Sequence, residues 1–252
     1  MQEHEYFNVA RPVVLAHRGG SAGAENTIET FNDAVGCGVF SIETDVRTTK
    51  DGVAILFHDA DLKRVANIDK KVSQTTFAEI EQINLIGGGK IQTLVRALTT
   101  LPQTRFNLDI KDPESVQTAS AAIELTKSHN RVLVSSFREK RRLATLKLLT
   151  QPVATSASAT IVIEVWLMHV FRLPQIFFTK RLKGIGALQI PRSMYGIKLD
   201  SKRFIRKVRA TNTEIHYWTI NNPQEMLELT ARGATGIVSD VSELAVQTLR
   251  KA

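Results

Sequence analysis

A single cysteine, Cys37, stands in 252 residues. It excludes an internal disulfide and fits a reducing compartment. The N-terminus, MQEHEYFNVARP, has neither the basic stretch nor the apolar stretch of a secretory leader, so the chain is expected in the cytoplasm. It also lacks any run of about eighteen apolar residues, which excludes a helix spanning a bilayer. The nearest approach, 161–178, is broken by Glu164, His169, Arg172 and Pro174. That segment suits a buried or amphipathic helix, or a contact with a membrane surface. No linker or low-complexity tract divides the chain, so a single domain over 1–252 is expected.

What the chain does have is a core-forming composition, 43% hydrophobic, and a formal net charge of +8. Its length allows most of its surface to be buried around one core. Basic clusters occur at 138–142, 180–183 and 202–209. Solvated outer helix faces account for such clusters, as does attraction of an anionic substrate or an anionic lipid surface. No nucleic-acid motif accompanies them, and no nucleic-acid partner is expected.

Short apolar runs alternate with helical patterns. The strand starts fall near residues 13, 39, 106, 132, 153, 187, 215 and 236, and helical periodicity separates most of them. Eight such units imply parallel pairing and a (β/α)₈ TIM barrel. A helix is predicted over 27–36, punctuated by Gly36 and Gly38. Thr76-x-x-Glu79 forms a capping box for a helix reaching about residue 85. Asp112-Pro113 and Asn222-Pro223 each place proline at a first helical position. The stretch of about 47–90 is too long for a simple βα unit and reads as an insertion after strand 2. Within it, Asp51-Gly52 signals a two-residue hairpin, because no crossover long enough for a parallel return is present. That register sets His58 opposite Asp45. Gly87-Gly88-Gly89 is a loop; no Lys-Ser/Thr follows it to make a phosphate loop.

The chemistry gathers at strand ends. Between residues 17 and 59 lie His17, Arg18, Glu43, Asp45 and His58, and Asp109 and Lys111 end the third strand. In a barrel these ends form the active face. Glu43 and Asp45 are two apart and point to one side, so their repulsion calls for a neutralising partner. One divalent cation, Mg²⁺ or Ca²⁺, answers that need, with Asp109 as third oxygen ligand. Ion pairs with Arg18, Arg47 or Lys111 would answer it as well. His17 and His58 suit general acid–base work near neutral pH, or ligation of the metal. Arg18 and Lys111 carry the fixed positive charge for binding phosphate. Trp218 is placed at the pocket rim, and Phe137 either walls the pocket or packs in the core. Asp240-x-x-Glu243 reads as a helix cap, while Glu25 fixes Arg18 or the backbone. His4, His129, His169 and His216 carry no supporting neighbours and receive no role.

These residues resemble the glycerophosphodiester phosphodiesterases. The resemblance runs in order through His17-Arg18-Gly19, Glu25-Asn26-Thr27, Glu43-Thr44-Asp45-Val46, Asp51-Gly52 and His58-Asp59. It continues through Asn107-Leu108-Asp109-Ile110-Lys111, Ser136-Phe137, Trp218-Thr219-Ile220-Asn221 and Gly236-Ile237-Val238-Ser239-Asp240. It implies a TIM barrel with a small insertion after strand 2. It implies a metal held by Glu43, Asp45 and the acid at 109, His17 and His58 as the acid–base pair, and phosphate bound by Arg18 and Lys111. The implied reaction releases glycerol 3-phosphate and an alcohol from a small glycerophosphodiester. The family's usual proline before Glu-Asn-Thr is Ala24 here. Its frequent glutamate on strand 3 is Asp109, one methylene shorter, which bears on whether ligation is direct or through water. The apolar 161–178 segment points to a wider mouth and a lysophospholipase D-type activity. The basic surface would also serve a non-catalytic binder of anionic headgroups.

Overall fold

The computed structural model describes residues 4–20, 23–194 and 196–250. Strand β1 (Val13–His17) leads through α1 (Ile28–Gly36) to β2 (Ser41–Thr48). The antiparallel strand β3 (Ala54–Leu56) and the single turns α2 (Lys63–Ala66) and α3 (Phe77–Ile80) follow. The helix α4 (Leu94–Thr100) then returns the chain to β4 (Arg105–Ile110). Next come α5 (Ser115–Thr126), β5 (Val132–Ser135), α6 (Glu139–Leu148) and β6 (Ala154–Thr155). Two helices, α7 (Ala159–Val170) and α8 (Gln175–Arg181), precede β7 (Ala187–Pro191). A small hairpin, β8 (Ser193–Met194) with β9 (Ile197–Lys198), leads to α9 (Lys202–Arg209) and β10 (Glu214–Trp218). The chain ends with α10 (Pro223–Ala231), β11 (Gly236–Ser239) and α11 (Ser242–Arg250).

Eight parallel strands pair in the order β6-β5-β4-β2-β1-β11-β10-β7. A bridge from Ser156 to Ala187 joins the two ends and closes the barrel. The strand-period alternation explains why the ring holds. On β4, Phe106, Leu108 and Ile110 point outward into the apolar layer beneath the helices, together with Ile42, Val134 and Tyr217. Asn107 and Asp109 point the other way, into the barrel mouth. The opposite end is filled by Tyr6 and Phe7, packed with Leu133, Ala154 and Ala187.

The local signals fared unevenly. Thr27 caps α1, Asn222 caps α10 ahead of Pro223, and Thr76 with Glu79 forms the capping box. However, α3 stops at Ile80 rather than near 85, and the chain turns into the insertion's own core around Leu62, Val65, Ile80 and Leu85. After Asp112-Pro113 the helix begins at Ser115, whose N–H and hydroxyl both donate to Asp112. The hairpin register also needs correcting. Val46 pairs with Leu56 and Thr48 with Ala54, so Phe57, not His58, donates to the carbonyl of Asp45. The turn spans three residues, Lys50 to Gly52, and Gly52 takes φ +82° at its end. The 161–178 segment is two helices separated at 171–174, ahead of Pro174.

From the floor of the mouth, a polar chain crosses the barrel interior. The Asn107 amide donates to Gln189 Oε1 (3.2 Å), and Gln189 Nε2 lies 3.3 Å from His216 Nδ1. Burial pushes the His216 imidazole down to about 4 from its ordinary 6.5, so it folds neutral. An unfolded imidazole takes up a proton below 6.5, while the folded one resists until about 4. Its contribution is therefore complete above pH 6.5 and lost as pH falls. Between pH 7 and pH 4, the wild type should lose about 2–3 kcal/mol more stability than His216→Gln. Parallel urea titrations at the two pH values measure this difference; equal losses in both proteins would contradict it.

Candidate active site

The mouth of the barrel is a cavity of about 540 Å³. His17, Arg18, Glu43, Asp45, His58, Asp109, Lys111 and Trp218 all line it. They come from the C-terminal ends of β1, β2, β4 and β10 and from the segment after β3. Register explains the grouping. His17 lies beside Glu43, which pairs with Asn107, and Asp45 pairs with Asp109 one inward position higher. The turn after β1 brings Arg18 back so that its N–H donates to the Glu43 carbonyl (2.7 Å). Gly20 in that turn has φ +54°, and a Cβ there would sit 2.7 Å from the Ser239 carbonyl oxygen.

The electrostatics turn on three acids and two cations. Asp45 and Asp109 are 2% and 6% exposed. Lys111 Nζ bridges them, 2.8 Å from Asp45 Oδ1 and 2.7 Å from Asp109 Oδ2. Arg18 Nε lies 3.2 Å from Asp45 Oδ2, an ion pair without hydrogen-bond alignment. Burial works against the Asp45 charge, but Lys111, Arg18 and His58 outweigh it and hold the carboxyl below its usual range. Burial raises the Asp109 carboxyl although Lys111 opposes it. Glu43 has no such partner. Burial, then the neighbouring Asp45 charge, pushes its carboxyl up to about 8. Its Oε2 is buried without a hydrogen-bond partner among the described residues.

This donor set fits a hard divalent cation in chemistry. Buried carboxylate oxygens outnumber the available cations, and Glu43 Oε2 is left unpartnered. Among the described residues, however, no three carboxylate or imidazole groups converge as ion ligands. Lys111 holds Asp45 and Asp109 instead.

Each imidazole is tied at Nδ1 to a carboxylate. His17 Nδ1 meets Asp240 Oδ1 at 2.5 Å, and His58 Nδ1 meets Asp59 Oδ1 at 2.7 Å. Asp240 is not the helix cap expected from its spacing. Its second oxygen accepts from the Asn221 amide at 2.8 Å, so both oxygens are committed within the site. His17 Nε2 faces Glu43 Oε2 at 3.8 Å. Burial pulls the His17 imidazole down, but its hydrogen bond with Asp240 and the charge of Glu43 leave it above its ordinary value. Asp59 is itself held by Arg64 Nε (2.6 Å), which also grips Glu25, and Glu25 meets Arg18 Nη1 at 3.3 Å. Glu25 thus fixes Arg18, as its loop position suggested.

Arg64 escaped notice in the sequence because nothing in its local pattern marks it; the insertion delivers it. Asp59 was visible in His58-Asp59, but its role needed the fold. The other half of the cavity was equally hidden. It is walled by Val162, Ile163, Ile190, Met194 and Leu199, with Phe137 at the edge, 55% exposed, and its ring 6.1 Å from Trp218.

A sequence model of the glycerophosphoryl diester phosphodiesterase family matches residues 17–244. The chain belongs to that family. Among its relatives in the family, the probable glycerophosphodiester phosphodiesterase 2 of Mycobacterium tuberculosis is 31% identical, over 95% of this chain and 91% of that one. The lysophospholipase D GDPD1 of Homo sapiens is 24% identical, over 90% of this chain and 82% of that one. The barrel fold recurs in a phosphodiesterase of Oleispira antarctica solved in complex with the product sn-glycerol-3-phosphate. That structure has a TM-score of 0.77 and 23% identity, over 95% of this chain and 97% of that one.

In this member of the glycerophosphoryl diester phosphodiesterase family, Lys111 is the cation shared by two buried acids. Lys111→Met should cost about 3 kcal/mol of stability in the presence of EDTA, because Asp45 and Asp109 are left facing each other. Urea denaturation gives the value; a loss below about 1 kcal/mol would mean that the bridge is not what holds these acids together.

Proposed function

We propose that the chain hydrolyses glycerophosphodiesters to glycerol 3-phosphate and an alcohol, using His17 and His58 as a general acid–base pair. Family membership makes it a phosphodiester hydrolase. The observation that carries the finer proposal is the pair of imidazoles, each anchored at Nδ1 by a carboxylate and each lining the same cavity. Anchoring one nitrogen leaves Nε2 as the atom that moves a proton. One imidazole takes the proton of a glycerol hydroxyl as that oxygen attacks phosphorus. The other protonates the departing alcohol. Water then opens the resulting cyclic phosphate with the roles reversed. Arg18 steadies the phosphate charge, and Trp218 shapes the rim.

One divalent cation, Mg²⁺ or Ca²⁺, belongs with this proposal, and Glu43, Asp45 and Asp109 would hold it. When bound, it supplies positive charge for phosphate oxygens and neutralises the acids. Lys111 would then be released toward the phosphate. A second substrate class is favoured by one specific feature, the apolar wall of the cavity. It suits a lysophospholipid, whose departing alcohol carries the polar headgroup while its glycerol side carries an acyl chain. Relative kcat/KM on glycerophosphocholine and lysophosphatidylcholine decides between the two.

His17→Ala and His58→Ala should each lower kcat on glycerophosphocholine by about 10²–10⁴-fold, read as glycerol 3-phosphate released. Wild-type turnover in both variants would remove the pair from the reaction. For the cation, saturating Mg²⁺ or Ca²⁺ after EDTA treatment should raise the melting temperature of the wild type. About 2.7 kcal/mol is available at a hundredfold excess over the dissociation constant. Glu43→Gln should lose most of that rise, and an equal rise in both proteins would locate the cation elsewhere.

A further inference from the structure

The α7–α8 hairpin is apolar on the wrong side. Its buried face carries Ile161, Val162 and Val165, as a helix covering a barrel requires. Its outer face carries Ile163, Leu167, Val170 and Phe171, spaced so that they form one stripe. Phe171 is 72% exposed, and after a four-residue connection Ile176 is 66% exposed and Phe177 47%. The stripe is continuous with the active site, because Ile163 also lines the cavity.

Charge is distributed in the same way. Between Val165 and Thr213 the chain carries eleven lysines and arginines and one acid, Asp200. Since the whole chain has a net charge of +8, the remainder is slightly negative. Asp200 is buried and committed to Arg192 and Arg232. Arg172, Lys180, Lys183, Lys202, Arg203 and Arg206 are exposed and form no ion pair with any described acid. An apolar stripe with aromatic residues, flanked by unpaired cations, complements an anionic lipid surface in both of its layers.

We propose that the outer face of α7 and the start of α8 dock on an anionic phospholipid bilayer, with the cavity opening beside the contact through Ile163. Phe171, Ile176 and Phe177 enter the headgroup boundary, and the lysines and arginines meet lipid phosphates. The docking surface stands independently of the reaction. Its consequence, delivery of an amphiphilic phosphodiester from the membrane to the cavity, rests on the lysophospholipid substrate class proposed above.

Sedimentation of the full chain with vesicles of equimolar phosphatidylglycerol and phosphatidylcholine tests the proposal, with pure phosphatidylcholine vesicles as comparison. The wild type should bind the anionic vesicles and release at high salt. Phe171→Glu with Phe177→Glu, and separately Lys180→Glu with Lys183→Glu, should each reduce the partition coefficient about tenfold or more, given about fivefold per lysine charge. Both variants should hydrolyse soluble glycerophosphocholine at the wild-type rate, since neither touches the residues of the site. Equal vesicle binding by wild type and variants, or none by the wild type, would overturn the proposal. Self-association of the wild type abolished by the phenylalanine changes would also overturn it, assigning the face to a second copy. Absent turnover by the wild type would strike the proposed reaction and leave the vesicle result standing.

Discussion

Three carboxylates, Glu43, Asp45 and Asp109, share a buried volume with two cations, Arg18 and Lys111, and this imbalance governs the barrel mouth. Like charges in low dielectric repel by several kcal/mol unless each is paired or protonated. Asp45 takes both cations, and Asp109 shares one of them. Glu43 is left with neither cation, and burial beside Asp45 raises its carboxyl to about 8. The neighbouring groups are arranged around this shortage of positive charge. Arg18 can serve Asp45 because Glu25 braces its far end, and Glu25 is braced by Arg64, which also fixes Asp59. A chain of charge pairs therefore runs from His58 round the mouth to Asp109.

Barrel geometry makes such crowding possible. Inward positions recur every second residue, so each strand offers the mouth one side chain per layer while its outward neighbours anchor it in the apolar shell. Thr44, between Glu43 and Asp45, illustrates the division. It faces away from the site, and its hydroxyl donates to Asn26 Oδ1 (2.7 Å), which fastens β2 to the loop that carries Glu25. The rigid shell thus fixes separations that the acids alone would not tolerate.

The division between what was readable and what was not follows the range of the physical signals. Alternation and helical periodicity are local, so the eight strands, the caps at Thr27 and Asn222 and the grouping of strand ends could be read directly from the sequence. Register is less secure. Asp51-Gly52 pointed to a hairpin, but the number of residues in its turn depended on the Thr49 N–H donating to the Val53 carbonyl, and one extra residue moved Asp45 from His58 to Phe57. Asp240 had a valid local interpretation as a cap, which lost to a partner 223 residues away. Arg64 and the apolar wall required the insertion and α7 to be in place, and no spacing rule reaches that far.

The two halves of the cavity explain why one helix does so much. A phosphodiester has a charged centre and two different alcohol arms, so a site that binds it must change character over a few ångströms. Here the charged half is built from strand ends, where backbone register holds acids and imidazoles in place. The apolar half is built from α7, whose Val162 and Ile163 face the cavity while Leu167 and Val170 continue outward along the same helix to Phe171 just past its end. A helix that only covered the barrel would carry polar residues on that outer face. Exposing contiguous apolar area there has a solvation cost. The cost is offset if the outer face has a destination of its own, and the concentration of cations along α8 and α9 gives that destination its charge.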